Sequence, residues 1–389
     1  MNDPAAGDGS CGIKVVASDL KSTMNAADEI AEQLAGAPWQ HVLVHFSSHH
    51  DAEILATRLG RALPNTSVVG CSTSGEIGPN GMRQGSILAL AFPHDRFRIR
   101  SEVIEDIDRF GVERATNVVR RLREDLACPQ GQTSRENVFA HLLVDGVSNY
   151  EEMLVASINW AMGDLDIVGG SAGDNLDFRR TSLIHNGRAM TNAAILTMIE
   201  TTVPFRTFKT NNFEPTTTKL VVTSADTENR IVRELNAEAA AHEYARAVGL
   251  MPDELGPFSF ASYPLVVKVG EEYFCRSIRN VNPDGSLTFF CAIDEGLVFT
   301  VATAHDMLEA TERTLVELDH ALGGVDMVLG FDCVLRRLDA ENRQIRHRME
   351  ALYQRHNIVG FHTYGEQYNA MHLNQTLTGI AFGRQRLER

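Results

Sequence analysis

Apolar residues recur along the chain in three stretches that share one plan. Each has a continuous apolar segment, then an amphipathic segment of helical period, then a second apolar segment that ends in Val-Gly. Short continuous apolar segments predict buried strands, and apolar residues spaced three or four apart predict a helix packed on them. The stretches comprise residues 42–46, 52–63 and 67–76; residues 138–144, 150–162 and 166–174; and residues 327–333, 340–355 and 357–366.

A further apolar strand follows each stretch, at residues 86–92, 193–199 and 377–382. Between the second and third stretches, residues 263–269, 272–278 and 287–292 predict antiparallel strands, with an Asn-Pro-Asp-Gly turn at 282–285. The pattern therefore predicts an α/β (α+β) fold. We expect two layered domains with mixed sheets covered by helices, built from repeated β-α-β units.

Domain boundaries follow from changes in composition. Polar residues interrupt the periodic pattern at 211–218, which predicts one domain over residues 13–225 and a second over residues 226–389. The polar start predicts disorder over residues 1–12. The charged end, residues 384–389, is predicted to be solvated.

Composition excludes some partners. The chain has 389 residues, of which 43% are hydrophobic and 22% charged, as in a globular protein with a sizeable core. Its 51 acidic and 36 basic residues give a net charge of -15, which repels nucleic acid and anionic lipid. We therefore expect neither a nucleic acid nor a membrane as a partner.

The sequence also indicates a compartment. Its apolar runs, such as residues 87–92, have the length of strands and not of membrane-spanning helices. The first twelve residues lack the features of a secretory signal. The six cysteines contain no Cys-x-x-Cys pair, which favours reduced thiols. These observations predict a cytoplasmic protein.

Two groups of motifs carry a resemblance to a known family. The first half contains Val69-Gly70-Cys71-Ser72-Thr73-Ser74-Gly75-Glu76-Ile77 and resembles the N-terminal FIST domain. The second half resembles the C-terminal FIST domain through a larger set of motifs. These are Ser262-Tyr263-Pro264-Leu265, Arg276, Asp284-Gly285, Glu295-Gly296, Asp332-Cys333, Gly360-Phe361-His362-Thr363-Tyr364-Gly365-Glu366 and His372-Leu373-Asn374-Gln375-Thr376-Leu377-Thr378.

The resemblance covers residues 40 to 383 and implies a sensory module of prokaryotic signalling. A chain of this length with no kinase or receiver segment resembles the nitric-oxide-sensing subgroup called NosP. That likeness implies a heme b cofactor, nitric oxide as the gaseous ligand, and a histidine kinase or a cyclic-di-GMP enzyme as the partner. We expect no enzymatic activity, and a homodimer stays open.

A heme sensor needs an axial ligand, which is usually a neutral histidine on a helix. The segment 236–249 predicts such a helix, and His242 lies within it. Small neighbours such as Ala241 and Ala245, together with Tyr244, would let a flat macrocycle approach. We therefore predict His242 as the axial ligand to the heme iron, with Ala241, Tyr244 and Ala245 beside it. A surface histidine is the alternative reading.

Other residues compete for the iron. His362 and His372 flank a turn, where structural hydrogen bonds are the simpler interpretation. The pair His49-His50 begins a helix, which favours capping or solvent exposure. The Cys128-Pro129 pair resembles a thiolate heme signal, although it lies in a polar loop.

The turns after the Val-Gly strands suggest a second kind of site. Hydroxyls, backbone amides and carboxylates at strand ends can bind an amino-acid-like ligand without heme. Tight turn geometry explains the same residues equally well. The candidates are Cys71, Ser72, Thr73, Gly170, Ser171, Asp174, Thr363, Tyr364 and Glu366.

Two further classes of function are alternatives. In a Cys-dependent hydrolase, Cys71 would be the nucleophile with a histidine as base, although the sequence contains none of the common hydrolase motifs. In a scaffold, the acidic surface would bind a basic partner.

Overall fold

The computed structural model describes residues 10–126 and 136–384. Cys128-Pro129, residues 1–9 of the predicted disordered start and residues 385–389 of the charged tail lie outside this range. Residues 10–12 are described, and Cys11 is buried with its backbone N–H donating to Asp326 Oδ2 at 2.8 Å.

Three consecutive units share one order of elements: an edge strand, a helix, a strand, a helical segment, a parallel strand, a two-strand hairpin and a final strand. The first unit consists of β1 Lys14–Ser18, α1 Thr23–Leu34, β2 Trp39–Ser47, α2 Ala52–Ala62, β3 Ser67–Thr73, β4 Glu76–Gly78, β5 Gly81–Arg83 and β6 Ile87–Pro93. The second consists of β7 Phe97–Glu105, α3 Val112–Asp125, β8 Val138–Val144, α4 Glu151–Met162, β9 Ile167–Ser171, β10 Leu183–His185, β11 Arg188–Met190 and β12 Ala193–Thr201.

The third unit carries a long insertion after its edge strand, β13 Phe205–Thr210. The insertion consists of β14 Phe213–Asp226, β15 Ile231–Leu235, β16 Glu238–Ala239, α5 Ala240–Val248, α6 Pro257–Ser262, β17 Leu265–Val269, β18 Glu272–Cys275, β19 Ile278–Val281, β20 Leu287–Phe289 and β21 Val298–Ala304. The unit then resumes with α7 Met307–Leu322, β22 Val325–Cys333, α8 Val334–Asn342, α9 Arg346–Arg355, β23 Ile358–Thr363, β24 Glu366–Tyr368, β25 Met371–Leu373 and β26 Leu377–Gly383.

Four sheets result from these strands. Their orders are β1-β6-β2-β3-β10-β11 (sheet 1), β25-β24-β9-β8-β12-β7 (sheet 2), β13-β26-β22-β23-β4-β5 (sheet 3) and β18-β17-β21-β14-β15-β20-β19 with β16 beside β15 (sheet 4). Sheets 1 to 3 each contain one parallel pair, which is β2 with β3, β8 with β9, and β22 with β23. The other neighbours of these strands are antiparallel. The predicted α/β (α+β) class with mixed sheets is confirmed.

Each of sheets 1 to 3 ends on a hairpin that belongs to another unit. The β4–β5 hairpin of the first unit extends sheet 3, β10–β11 of the second extends sheet 1, and β24–β25 of the third extends sheet 2. The pairings are equivalent, because a hairpin residue always faces the glycine of the Val-Gly motif. The three pairs are Ile77 with Gly360, Ile184 with Gly70, and Gln367 with Gly169. The three units are therefore related by a pseudo-threefold arrangement.

The sheets enclose a shared core. The valines of the three Val-Gly motifs, Val69, Val168 and Val359, all lie in one buried apolar cluster with Phe139 and Phe331. The helices cover the outer faces of the sheets, so the strands are buried on both sides and read as continuous apolar runs. This explains why the sequence pattern lacks simple alternation.

The elements differ from the sequence predictions in several places. In the insertion, residues 236–249, predicted as one helix, contain β16 before α5, and residues 272–278, predicted as one strand, are divided between β18 and β19. The predicted helix over residues 340–355 is two helices, α8 and α9, because the chain turns at residues 343–345, where Gln344 has a φ of 59° in the left-handed region. The polar stretch at 211–218 contains the start of strand β14. The boundary between residues 225 and 226 stays a prediction.

Two global properties bear on the later sections. Among the described residues, no helix is both long and apolar enough to cross a membrane. The cysteines in the described part of the chain, Cys11, Cys71, Cys275, Cys291 and Cys333, are buried and unpaired.

The Val-Gly glycine allows the two parallel strands to approach closely. A Cβ atom added at Gly169 would lie 1.9 Å from the carbonyl oxygen of Leu142, so the backbone would have to move. We expect Gly169→Ala to lower the free energy of unfolding by about 1–3 kcal/mol, which is the usual range for overpacking. Urea unfolding measures the change.

Gly111→Ala is the control for that variant. A Cβ at Gly111 meets nothing within 4 Å, and the backbone there is extended. We expect its effect to stay below about 1 kcal/mol, the range for a helix N-cap. Equal losses in the two variants would contradict the importance of the close approach.

Candidate functional site

The pseudo-threefold arrangement creates three equivalent junctions. At each, the chain leaving the carboxyl end of a middle strand (β2, β8 or β22) meets the turn that leads into another unit's hairpin. The first junction joins residues 48–53 to residues 174–182, the second joins residues 145–151 to Tyr364, and the third joins α8 to Ser74. Ligands often bind at such carboxyl ends of strands.

The third junction is filled by the protein itself. The Arg337 side chain of α8 is buried, and its guanidinium donates to the carbonyl oxygen of Ser74. Beside it, Arg336 Nε donates to Asp332 Oδ1 at 2.7 Å, and the Tyr353 hydroxyl donates to Asp332 Oδ2 at 2.9 Å. This junction is a structural contact.

The first junction contains the polar cavity, with a volume of about 560 Å³. It lies between the start of α2 and the connection from β9 to β10, and acidic, basic and histidine side chains dominate its lining. Those charged and histidine residues are His49, His50, Asp51, Glu53, Asp174, Asp177, Arg179 and Arg180. Pockets of this volume are typical of small-ligand sites.

Asp174 holds one wall of the polar cavity in place. Its carboxylate accepts the backbone N–H groups of Phe178 at 2.9 Å, Arg179 at 2.7 Å and Arg180 at 2.9 Å. It also accepts the hydroxyl of Tyr364 from the third unit. At the far end of the same wall, the Ser72 hydroxyl accepts the backbone N–H of Ser182 at 3.0 Å. We call residues 174–182 the wall loop.

The wall loop stores conformational strain. Asn175, Leu176 and Phe178 have φ angles of 59°, 75° and 51°, in the left-handed region that side chains larger than glycine and asparagine rarely adopt. Such conformations persist where the surroundings hold them, and they concentrate at functional sites. Here the backbone hydrogen bonds to the Asp174 carboxylate keep the loop in this conformation.

Arg179 and Arg180 supply unneutralised positive charge. Both side chains are exposed at the polar cavity, and within residues 10–126 and 136–384 neither guanidinium has an ion-pair or hydrogen-bond partner. Across the cavity, Asp51 caps α2 by accepting the backbone N–H of Ile54 at 3.0 Å. Glu53 lies in the first turn of that helix. The cavity therefore presents both signs of charge.

The second junction contains the aromatic cleft, which consists of two adjoining cavities of about 160 and 190 Å³. Phe178, Arg279 and Phe290 line both of them. The Phe178 ring stacks on Tyr364 with centroids 4.5 Å apart, and the Arg279 guanidinium carbon lies 4.9 Å from the centroid of the Phe178 ring. Phe178 belongs to the wall loop, so the loop borders both junctions.

The predicted turn residues converge, but most of them are buried and satisfied. Cys71, Ser72, Thr73, Gly170 and Ser171 lie in β3 and β9 and line none of the three cavities, and the Ser171 hydroxyl accepts Gln367 Nε2 at 2.9 Å. Of the nine candidates, Asp174 lines the polar cavity and Tyr364 lines the aromatic cleft.

Two of the turns bury a carboxyl group in the same way. Glu76 accepts the hydroxyls of Thr73 and Ser86, the latter at 2.7 Å. Glu366 accepts the hydroxyls of Thr363 at 2.5 Å and Thr376 at 2.7 Å. Burial raises the pKa of Glu76 to about 7 and that of Glu366 to about 8, against the lowering effect of those hydrogen bonds. Thr363 and Glu366 thus serve the turn.

The residues predicted to hold heme do not form a pocket together. His242 is exposed on α5, whereas Ala241, Tyr244 and Ala245 are buried, and the Tyr244 hydroxyl donates to the carbonyl oxygen of Tyr263 at 2.8 Å. None of the three cavities above is lined by His242. The side chains around this imidazole do not fit an enclosed macrocycle.

The other candidate ligands have structural surroundings. His362 is buried, with Nδ1 3.5 Å from Asp332 Oδ2, and His372 is buried, with Nδ1 3.4 Å from Gln367 Nε2. His49 and His50 line the polar cavity. In the described part of the chain, no group of three or more His, Cys, Asp or Glu side chains could hold a metal ion.

Cys71 does not have the surroundings of a nucleophile. It is fully buried in β3, and burial raises the pKa of its thiol well above the usual value. Reactive cysteines are instead partly exposed, with a lowered pKa. The geometry gives no support to the hydrolase alternative.

Comparison with known proteins agrees with the sequence motifs. The FIST N domain family matches residues 40–238, and the FIST C domain family matches residues 240–369. The chain belongs to the FIST family, whose domains are sensors in signal transduction. No curated protein matches the chain. A solved chorismatase structure aligns over 97% of this chain and 100% of that chain, with 11% sequence identity and a TM-score of 0.36, a likeness too low to carry any argument.

Sequence reasoning missed the residues that face the cavities. Arg179, Arg180 and Asp177 lie in the wall loop, and Arg279 and Phe290 lie in the insertion. A signal existed for the first group: four charged residues follow a glycine-rich strand end within seven residues. Nothing in the sequence brings Arg279 close to Phe178.

The buried carboxyls give a test of the turns by pH. The folded protein binds a proton at Glu366 that the unfolded chain releases above the ordinary pKa of 4.5. The contribution of Glu366 to the free energy of unfolding is therefore largest at low pH. It falls by about 1.4 kcal/mol per pH unit as the pH rises towards 8. We expect Glu366→Gln to become more stable relative to the wild type over this range, measured by urea unfolding.

Glu76→Gln provides a matched comparison. The stability of Glu76→Gln relative to the wild type should rise with pH and stop rising near pH 7. For Glu366→Gln the rise should continue to about pH 8, because the folded-state pKa of Glu366 is higher than that of Glu76. A difference between variant and wild type that does not change with pH would contradict the protonated carboxyl in that turn.

Proposed function

We propose that this FIST protein senses a small zwitterion of the amino-acid class, bound in the polar cavity. One observation carries the proposal: a cavity of about 560 Å³ at a strand-end junction presents two unpaired guanidinium groups together with several carboxylates. The proposal goes beyond the family's sensory role, because it names the site and the class of ligand.

The charges of the cavity suit both ends of such a ligand. Arginine binds carboxylates through two parallel hydrogen bonds, so Arg179 and Arg180 suit the carboxylate of the ligand. Glu53 and Asp177 have no ion-pair partner among the described residues and suit an ammonium group. A ligand with one charge only would leave half of these groups without a partner.

The wall loop provides a route from binding to output. A ligand that pulls on Arg179 or Arg180 acts on the backbone groups that Asp174 holds. The same carboxylate accepts the Tyr364 hydroxyl, so a shift of the loop reaches the third unit. A ligand that binds more tightly to one arrangement of the wall loop increases the fraction of molecules in that arrangement.

The partner is proposed on the resemblance alone. A histidine kinase or a cyclic-di-GMP enzyme would read the shifted surface. Heme b with nitric oxide as its ligand stays a prediction from the resemblance. The exposed position of His242 does not support it.

A thermal-shift screen with the twenty standard amino acids tests the proposal. We expect at least one to raise the melting temperature as its concentration increases. Arg179→Gln and Arg180→Gln should each weaken its binding about tenfold to a hundredfold in calorimetric titration, because each removes charged hydrogen bonds.

Arg109→Gln is the matched control, since Arg109 is largely exposed on the chain before α3 and does not line the polar cavity. Its affinity should equal that of the wild type. Failure of all twenty amino acids to bind at millimolar concentration, or equal binding by all variants, would sink the proposal.

A hemin titration tests the cofactor prediction separately. We expect the same absorption spectrum for the wild type and for His242→Ala, because His242 is exposed on α5 and lines none of the three cavities described above. A stoichiometric Soret band that disappears in His242→Ala, and that shifts when nitric oxide is added to the wild type, would contradict this and favour a heme sensor.

A further inference from the structure

The smaller cavity of the aromatic cleft is a separate apolar site. Its volume is about 160 Å³, and it lies where α6, α8 and β19 meet the wall loop. Its lining is almost entirely apolar, and it is not shared with the polar cavity. The main apolar residues are Leu176, Phe260, Ala261, Ile278, Leu335 and Leu338.

The size of this cavity limits what can enter it. A protein cavity of about 150 Å³ lined by Leu, Ile and Phe takes up benzene and excludes water. The present cavity has nearly the same volume, and most of its lining side chains are of the same kinds, with Arg279 and Gln375 as the polar exceptions. It therefore suits a single six-membered aromatic ring and is too small for a fused polycyclic ligand.

Arg279 determines the charge of the occupant. Its side chain is exposed and lines both cavities of the cleft, and its guanidinium lies over the Phe178 ring. In the described part of the chain it has no carboxylate partner and no hydrogen-bond partner. An anionic group on the ring would supply the missing partner.

The neighbouring arginine behaves differently. Arg230 is buried, and its Nη2 contacts carboxylate oxygens of Glu151 and Glu152, each at 2.8 Å. Because Arg230 is already neutralised, it offers nothing to a ligand, and the two glutamates disfavour a second anionic group on the side of the 190 Å³ cavity. The cleft thus selects one ring with one negative charge.

We infer that the aromatic cleft binds a monocyclic aromatic carboxylate of the benzoate type. The ring occupies the apolar cavity between Phe260 and Leu338, and the carboxylate pairs with Arg279 at the boundary with the larger cavity. The site is distinct from the polar cavity and does not depend on the amino-acid proposal.

Calorimetric titration of the full chain with benzoate tests this inference. Benzamide has the same shape without the charge, and we expect it to bind about tenfold to a hundredfold more weakly, as expected for loss of a charged hydrogen bond. Arg279→Gln should weaken benzoate binding by a similar factor and leave benzamide binding unchanged. Ala261→Leu, which fills the apolar cavity, should weaken both probes.

Arg233→Gln is the control, because Arg233 is an exposed arginine of β15 that lines neither cavity. It should bind benzoate like the wild type. Absence of benzoate binding at millimolar concentration, or equal binding of benzoate and benzamide, would overturn the inference. So would benzoate binding that is lost in Arg180→Gln and kept in Arg279→Gln, since the anion would then occupy the polar cavity.

Discussion

The exchange of hairpins among sheets 1 to 3 is the constraint on which the rest of the structure depends. Every one of these sheets receives its last two strands from a different unit, through backbone hydrogen bonds at the glycine of the Val-Gly motif. A unit taken alone would leave one sheet edge unpaired and one hairpin without a sheet. The three units therefore stabilise one another in a closed cycle.

The exchange also determines how the two family segments relate to each other. Sheet 3 contains β4, β5 and β13 from the FIST N segment and β22, β23 and β26 from beyond it. Sheet 2 receives β24 and β25 from the C-terminal part. The two matched segments are units of sequence, and each completes sheets that the other begins.

The junctions owe their geometry to the same exchange. Every hairpin is preceded by a turn, and the exchange carries that turn to the strand ends of a neighbouring unit. Asp174 and Tyr364 come from two such turns, and their hydrogen bond links the polar cavity to the aromatic cleft. The wall loop separates the two sites by a single layer of residues, with Phe178 on one side and Arg179 on the other.

Local patterns made much of the fold predictable from the sequence. The β-α-β units follow from residues such as 42–46 and 138–144, because buried strands need continuous apolar side chains. Strand exchange left no local signal, because pairings such as Ile77 with Gly360 join residues far apart in the chain. The helix around His242 was predictable, whereas its exposed face was not, since small and apolar residues surround it on several sides.

Covalent linkage of the three units has a consequence for how the junctions can differ. In a homotrimer of identical subunits, symmetry makes every interface the same, and one substitution alters all of them at once. Here a mutation changes a single interface and leaves the others intact. The divergence is visible in the side chains: charged groups line the first junction, aromatic rings line the second, and Arg337 fills the third.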